Sequence, residues 1–138
     1  MSENAVYSAT VLQPDMSKDL TIFGIKNCST MKKAFDWLDS AAITYDFHDY
    51  KKHGVPPAAL RDWIEKVGWR SLLNTQGTTW RKLSEAQRAD VDEAKAIALM
   101  EAFPSLIKRP VIARGDEVLL GFDAERYKNA LKQGRKGE

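Results

Sequence analysis

The stretch Leu20-Thr21-Ile22-Phe23-Gly24-Ile25-Lys26-Asn27-Cys28-Ser29-Thr30-Met31 decides the fold, because its periodicity changes midway. Leu20 to Gly24 is a short β-branched and aromatic run closed by glycine, the composition of a strand. From Ser29 onward Met31, Ala34, Phe35, Leu38 and Ala42 recur at helical spacing, beside Lys32, Lys33, Asp36 and Asp39. Thr44 to His48 (TYDFH) then alternates as a second strand. Strand, helix and strand in so short a span form a βαβ unit, which predicts parallel strands joined by a right-handed crossover.

Outward from that unit the punctuation is equally plain. Pro56-Pro57 opens a helical segment carrying Leu60, Ile64 and Val67, with Gly68 placed to end it. Ser84 and Gln87 have the spacing of a capping box. Asp92 is the expected cap of a helix through Ala94, Ile97, Ala98 and Phe103, which Pro104 stops. Pro110-Val111-Ile112-Ala113 and Glu117-Val118-Leu119-Leu120-Gly121 flank Arg114-Gly115-Asp116, a hairpin signature. Asp123 is placed to cap a last helix, with Phe122 and Tyr127 spaced as a hydrophobic staple. Two parallel strands plus a hairpin predict an α/β domain with a four-stranded mixed sheet and a helical insert between its halves. That is the layout of a thioredoxin-like fold. The domain is expected over residues 19–131, after a flexible extension at 1–18 in which Met16 reads as an alternative start, and before a charged, fraying tail at 132–138.

The 138 residues are 43% hydrophobic and 29% charged, enough apolar material for one ordinary core. A net charge of +2 excludes a dedicated polybasic nucleic-acid binder and leaves room for a local basic pocket. The one cysteine, Cys28, excludes an internal disulfide and a cysteine cage for zinc or iron–sulfur, so no metal is expected. No apolar run approaches the ~18 residues of a membrane span, and the N-terminus lacks the basic start and apolar block of a secretory signal. The expectation is a soluble, cytoplasmic, monomeric chain.

Cys28 lies between the end of the first strand and the start of the first helix. A side chain there meets unpaired backbone N–H groups that favour an anion. A helix end contributes about 0.3–1 kcal/mol, so a large drop from the free thiol value of about 8.5 also requires cations. Lys26, Lys32 and Lys33 are close in sequence. Two readings are open, a reactive thiol and a small buried hydrophobe; the loop setting and basic neighbours favour the first. Met31 stands where a Cys-x-x-Cys pair would have its second thiol, so a disulfide at Cys28 must be resolved by a thiol from outside the chain. Lys108-Arg109-Pro110 fits an anion ligand, with Arg109 held by the following proline, and a solvated basic turn alike. His48 and His53 show no spacing toward Cys28, and Trp63, Trp69 and Trp80 read as packing residues.

Taken together, Thr21-Ile22-Phe23-Gly24-Ile25-Lys26-Asn27-Cys28, Tyr50-Lys51-Lys52-His53-Gly54, Leu72-Leu73-Asn74-Thr75, Thr78-Thr79-Trp80-Arg81-Lys82-Leu83 and Ile107-Lys108-Arg109-Pro110 carry a resemblance. From about Leu20 to Leu131 the chain resembles the arsenate reductase (ArsC)–Spx family of thioredoxin-like proteins, most closely its YffB-like branch. The resemblance implies that Cys28 is the redox nucleophile, Pro110 the cis-proline facing it, and Arg109 the basic residue beside the thiol. It implies a glutathione-dependent thiol–disulfide reductase acting on a small-molecule or protein disulfide. Glutathione, as co-substrate, would lie among Lys26, Asn27, Ser29, Thr30, Lys32, Lys51, Arg109 and Pro110. Arsenate reductases use two further arginines, and the corresponding places here hold Asn74 and Phe122. Each charged hydrogen bond is worth about 1.5–3 kcal/mol, so the expected affinity for arsenate is low. The alternatives the family offers are arsenate reduction on Arg109 alone, and a non-enzymatic adaptor that contacts RNA polymerase as Spx does.

Overall fold

Period-2 and period-3.6 segments alternate along the chain, and the computed structural model realises them as a four-stranded sheet with helices on both faces. It describes residues 18–131; the expected extension (Lys18 apart) and tail lie outside the described residues. The strands are β1 (Leu20–Gly24), β2 (Tyr45–Asp49), β3 (Val111–Arg114) and β4 (Glu117–Leu120), in the order β2-β1-β3-β4. β1 runs parallel to β2, with Leu20 opposite Tyr45 and Gly24 opposite Asp49. β1 runs antiparallel to β3, with Phe23 opposite Val111, and β3 and β4 form the expected hairpin. This is the thioredoxin-like α/β arrangement read from the sequence.

Because successive strand residues face opposite ways, one sheet feeds two cores. Leu20, Ile22 and Ile112 pack with Met31, Ala34 and Leu38 of α1 (Ser29–Ser40) and with Tyr127 and Leu131 of α8 (Ala124–Leu131). On the other face Val111 meets the insert: α2 (Tyr50–His53), α3 (Pro57–Val67), α4 (Trp69–Leu72), α5 (Thr78–Lys82), α6 (Glu85–Arg88) and α7 (Glu93–Ala102). Phe23 packs its ring edge-on against the buried Trp63 at 4.8 Å on that side. The caps are as expected: Ser84 and Gln87 close a capping box, Asp92 accepts from the Lys95 N–H, and Asp123 accepts from the Arg126 N–H while Phe122 packs on Tyr127. Among the described residues no helix is long and apolar enough to cross a membrane.

Three sequence expectations need correction. The second strand is shifted one residue, to Tyr45–Asp49. The α1 stripe does not reach Ala42, which lies past the helix, exposed at φ 60°; the buried Ala41 takes the inward place as the chain turns. In α7 the inward face is Ala96, Leu99 and Met100, while Ala94 and Ala98 are exposed and Phe103 is 37% exposed. Leu99 and Met100 bury more apolar area than the alanines, and the helix rotates to suit them.

Tyr127 shows how one buried polar group sets a pH limit. Its hydroxyl donates to the Gly121 carbonyl at 2.6 Å, and burial pushes its phenol above the ordinary value of 10. The folded chain keeps that proton where the unfolded chain, above about pH 10, releases it. Its stabilising contribution is therefore intact below pH 10 and declines as pH rises beyond it. Tyr127→Phe is expected to cost about 1 kcal/mol at pH 7 and to flatten part of the alkaline decline, as read by urea unfolding at pH 7, 10 and 11.

Candidate active site

The register gathers three segments at one end of the sheet. Gly24 ends β1 opposite Asp49, the last residue of β2, and β3 begins at Val111 opposite Phe23. One further step of that register sets Pro110 beside Gly24. The loop Ile25–Asn27 and the start of α1, the turn into α2, and Lys108-Arg109-Pro110 therefore share this end. The Arg109–Pro110 peptide bond is cis. The insert is tied to the same place: Leu73 bridges Ile107, the Asn74 N–H donates to the Leu106 carbonyl at 2.7 Å, and the Lys108 N–H donates to the Leu72 carbonyl at 3.0 Å.

Cys28 is the N-cap of α1, extended at φ −150° and ψ 131°, and half-buried against the Leu20–Ile22 core. Its carbonyl accepts the Lys32 N–H at 3.0 Å. Its thiol, a weak acceptor, makes no cap hydrogen bond, so the first-turn amides stay without a side-chain partner. No acidic residue stands in that first turn. The first-turn amides are therefore open to an anion.

The other expected site residues collect at the same end in different states. Lys26, Asn27 and Ser29 are exposed, and Thr30 is half-buried. Lys32 is exposed and its ammonium pairs with Asp36 at 3.2 Å, so that cation is partly engaged by its own helix. Lys51 is exposed on α2, its N–H donating to the buried Asp49 carboxylate, which caps the helix. Arg109 is half-buried and Pro110 buried. Asn74 turns its carboxamide oxygen to the Gln76 N–H at 2.9 Å, and Phe122 packs on Tyr127 at 5.1 Å. Neither of these places supplies a cation. Nor does the structure recruit the histidines: His48 Nε2 lies 2.8 Å from the Gly54 carbonyl, which only accepts, so that nitrogen carries the proton. Among the described residues no group of three or more His, Cys, Asp or Glu is arranged to hold a metal.

Two residues gain a role that spacing did not disclose. Met31, fully buried, seats its thioether against the bare backbone of Gly24: a methyl on Gly24 would collide with its Sδ and lie 2.8 Å from its Cε. The fourth place of the Cys-x-x-x segment is a packing residue locked to the end of β1. Tyr50 is 3% exposed, and its hydroxyl has no hydrogen-bond partner. Burial raises its pKa and the Arg109 charge acts against that rise. In the sequence it stood out only within the Tyr50-Lys51-Lys52-His53-Gly54 stretch that carries the resemblance.

A four-stranded mixed sheet with a lone cysteine at a helix N-terminus and a cis-proline just before the third strand defines a thioredoxin-like domain. The chain belongs to the ArsC family, whose model matches residues 23–130. It is similar to a solved YffB protein, at 54% identity and TM-score 0.79, over 81% of this chain and 98% of that one. It is also similar to an arsenate reductase (ArsC) related protein from Brucella melitensis, at 48% identity and TM-score 0.67, over 87% of this chain and 99% of that one. The global transcriptional regulator Spx of Streptococcus agalactiae is 25% identical over 117 residues, 81% of this chain and 82% of that one.

The Gly24–Met31 contact is testable by a double-mutant cycle. Gly24→Ala is expected to cost about 1–3 kcal/mol by overpacking, and Met31→Ala about 2–5 kcal/mol by leaving a cavity. The double variant should lose clearly less than the sum, because the new methyl occupies space that the thioether left. Additive losses in denaturant unfolding would contradict the contact.

Proposed function

We propose that the protein is a glutathione-dependent thiol–disulfide reductase that works through Cys28 alone. The observation that carries this reading is the placing of an uncapped helix N-terminus, with Cys28 as its N-cap, at the sheet end that also holds Arg109. In the proposed cycle the Cys28 thiolate attacks one sulfur of a disulfide R–S–S–R′. A Cys28–S–S–R bond forms, the original S–S bond breaks, and R′S⁻ leaves and takes up a proton. A glutathione thiolate attacks the Cys28 sulfur, giving a Cys28–glutathione disulfide and releasing RS⁻. A second glutathione thiolate attacks the glutathione sulfur, yielding oxidised glutathione and the free Cys28 thiolate. Two glutathione molecules are oxidised and one disulfide is reduced to two thiols. Met31 supplies no internal thiol, so each resolving step draws on the external one.

Lys26, Lys51 and Arg109 meet the two carboxylates of glutathione in this reading, and Lys32 joins them when it releases Asp36. Asn27, Ser29 and Thr30 present the helix N-terminus, and Pro110 lines the edge where the peptide lies. Cycling of a free thiol suits a reducing, cytoplasmic setting and a monomer. Arsenate turnover is the weaker enzymatic reading, because Asn74 and Phe122 stand where the resemblance puts arginines. The Spx relative favours one second reading, an adaptor that docks on RNA polymerase without catalysis.

Reduction of a small disulfide by glutathione is expected to run above the uncatalysed exchange with the wild type and to fall to that background in Cys28→Ser, while Arg109→Ala should lower kcat/KM about tenfold or more, the scale of one charged hydrogen bond. Wild-type turnover that survives Cys28→Ser would sink the enzymatic reading. Capture of RNA polymerase by wild type and Cys28→Ser alike, with no turnover, would install the adaptor in its place.

A further inference from the structure

Two polar groups near the site lack partners, and they are of complementary kinds. The Tyr50 hydroxyl is sealed from solvent with no hydrogen bond, and a sealed, unpaired hydroxyl is a cost that phenylalanine would avoid. The half-buried Arg109 guanidinium forms no hydrogen bond to another described residue. Both stand at the same end of the sheet: Tyr50 follows Asp49, which pairs with Gly24, Arg109 lies two residues before Val111, which pairs with Phe23, and Tyr50 shares a core with Ile107 and Val111. The Arg109 charge is felt at the Tyr50 phenol, which burial keeps protonated. A guanidinium only donates, and a phenol oxygen accepts. A planar fork with donors on several edges can hand one N–H inward and aim the remainder outward.

We propose that Tyr50 is the positioning residue for Arg109. The Tyr50 oxygen accepts an N–H from the inner edge of the guanidinium when an anionic oxygen is drawn to its outer edge, and so fixes the fork toward the carboxylate of a thiol co-substrate. This rests on the reading of Arg109 as a carboxylate ligand at the Cys28 site. Tyr50 acts from beneath, without touching the ligand.

The test compares binding of reduced glutathione with that of its diethyl ester, whose carboxylates are blocked, to wild type and Tyr50→Phe by calorimetric titration. Wild type is expected to prefer the free acid, and Tyr50→Phe to lose about tenfold of that preference while binding the ester unchanged. Thermal unfolding should show Tyr50→Phe at least as stable as wild type, which a merely structural hydroxyl bond would not give. An unchanged acid-over-ester preference in Tyr50→Phe, equal weakening toward both ligands, or no preference in wild type would overturn the proposal. Disulfide turnover that persists beside any of these results would leave the Cys28 reading standing. Loss of that turnover in wild type, with the acid preference still dependent on Tyr50, would remove the catalytic reading and keep the anion subsite.

Discussion

The pairing of β1 with β2 on one edge and β3 on the other is the constraint on which everything else depends. Gly24 ends β1 at the level where β2 turns into α2 and where Pro110 leads into β3. A one-residue slip of β1 would exchange its two faces, sending Ile22 to the insert and Phe23 to α1. It would also shift the loop before α1 against Lys108-Arg109-Pro110. The two cores therefore hold the chemistry in place by fixing this register: Met31 against Gly24 below the cysteine, and Phe23 against Trp63 under the insert.

Electrostatically the site is asymmetric in a useful way. The first turn of α1 has no acid and no side-chain cap, so its amides are open to an anion. The cations around it differ in readiness. Lys32 is tied to Asp36, Lys26 and Lys51 extend into solvent, and Arg109 sits half-buried with no hydrogen bond to another described residue. Exposed lysines contribute mainly to steering, whereas a half-buried guanidinium is desolvated enough to discriminate among ligands. The proposed reading, a substrate with carboxylates near its sulfur rather than a small oxyanion, draws on this gradation, since Asn74 caps its own turn and Phe122 is packed on Tyr127.

Much of this was legible in the sequence, where local rules act alone. The change of period at Ser29, the glycine after Val67, the Ser84–Gln87 pair and the Arg114-Gly115-Asp116 turn each fixed an element through backbone chemistry that tertiary packing did not override. Cys28 was legible as a helix N-cap for the same reason, and the family resemblance supplied the cis-proline. The facing of α7 was not, because its apolar residues nearly encircle it and only the neighbouring helices choose between Ala98 and Met100. Met31 and Tyr50 were hidden differently. Their surroundings are set by other elements, a bare glycine backbone at the end of β1 in one case and the charge of a guanidinium 59 positions further along the chain in the other. Ala42 at positive φ was likewise a demand of the turn and not of its own side chain.

The most direct measurement of the central claim is the rate at which oxidised glutathione forms a mixed disulfide with Cys28, followed by peptide mass mapping in the native chain and in the same chain unfolded in urea. The account predicts one glutathione on Cys28, formed faster in the native fold than in the unfolded chain and removed by reduced glutathione. A native thiol that exchanges no faster than the unfolded one would mean that the fold does nothing for its sulfur, and the account would fail.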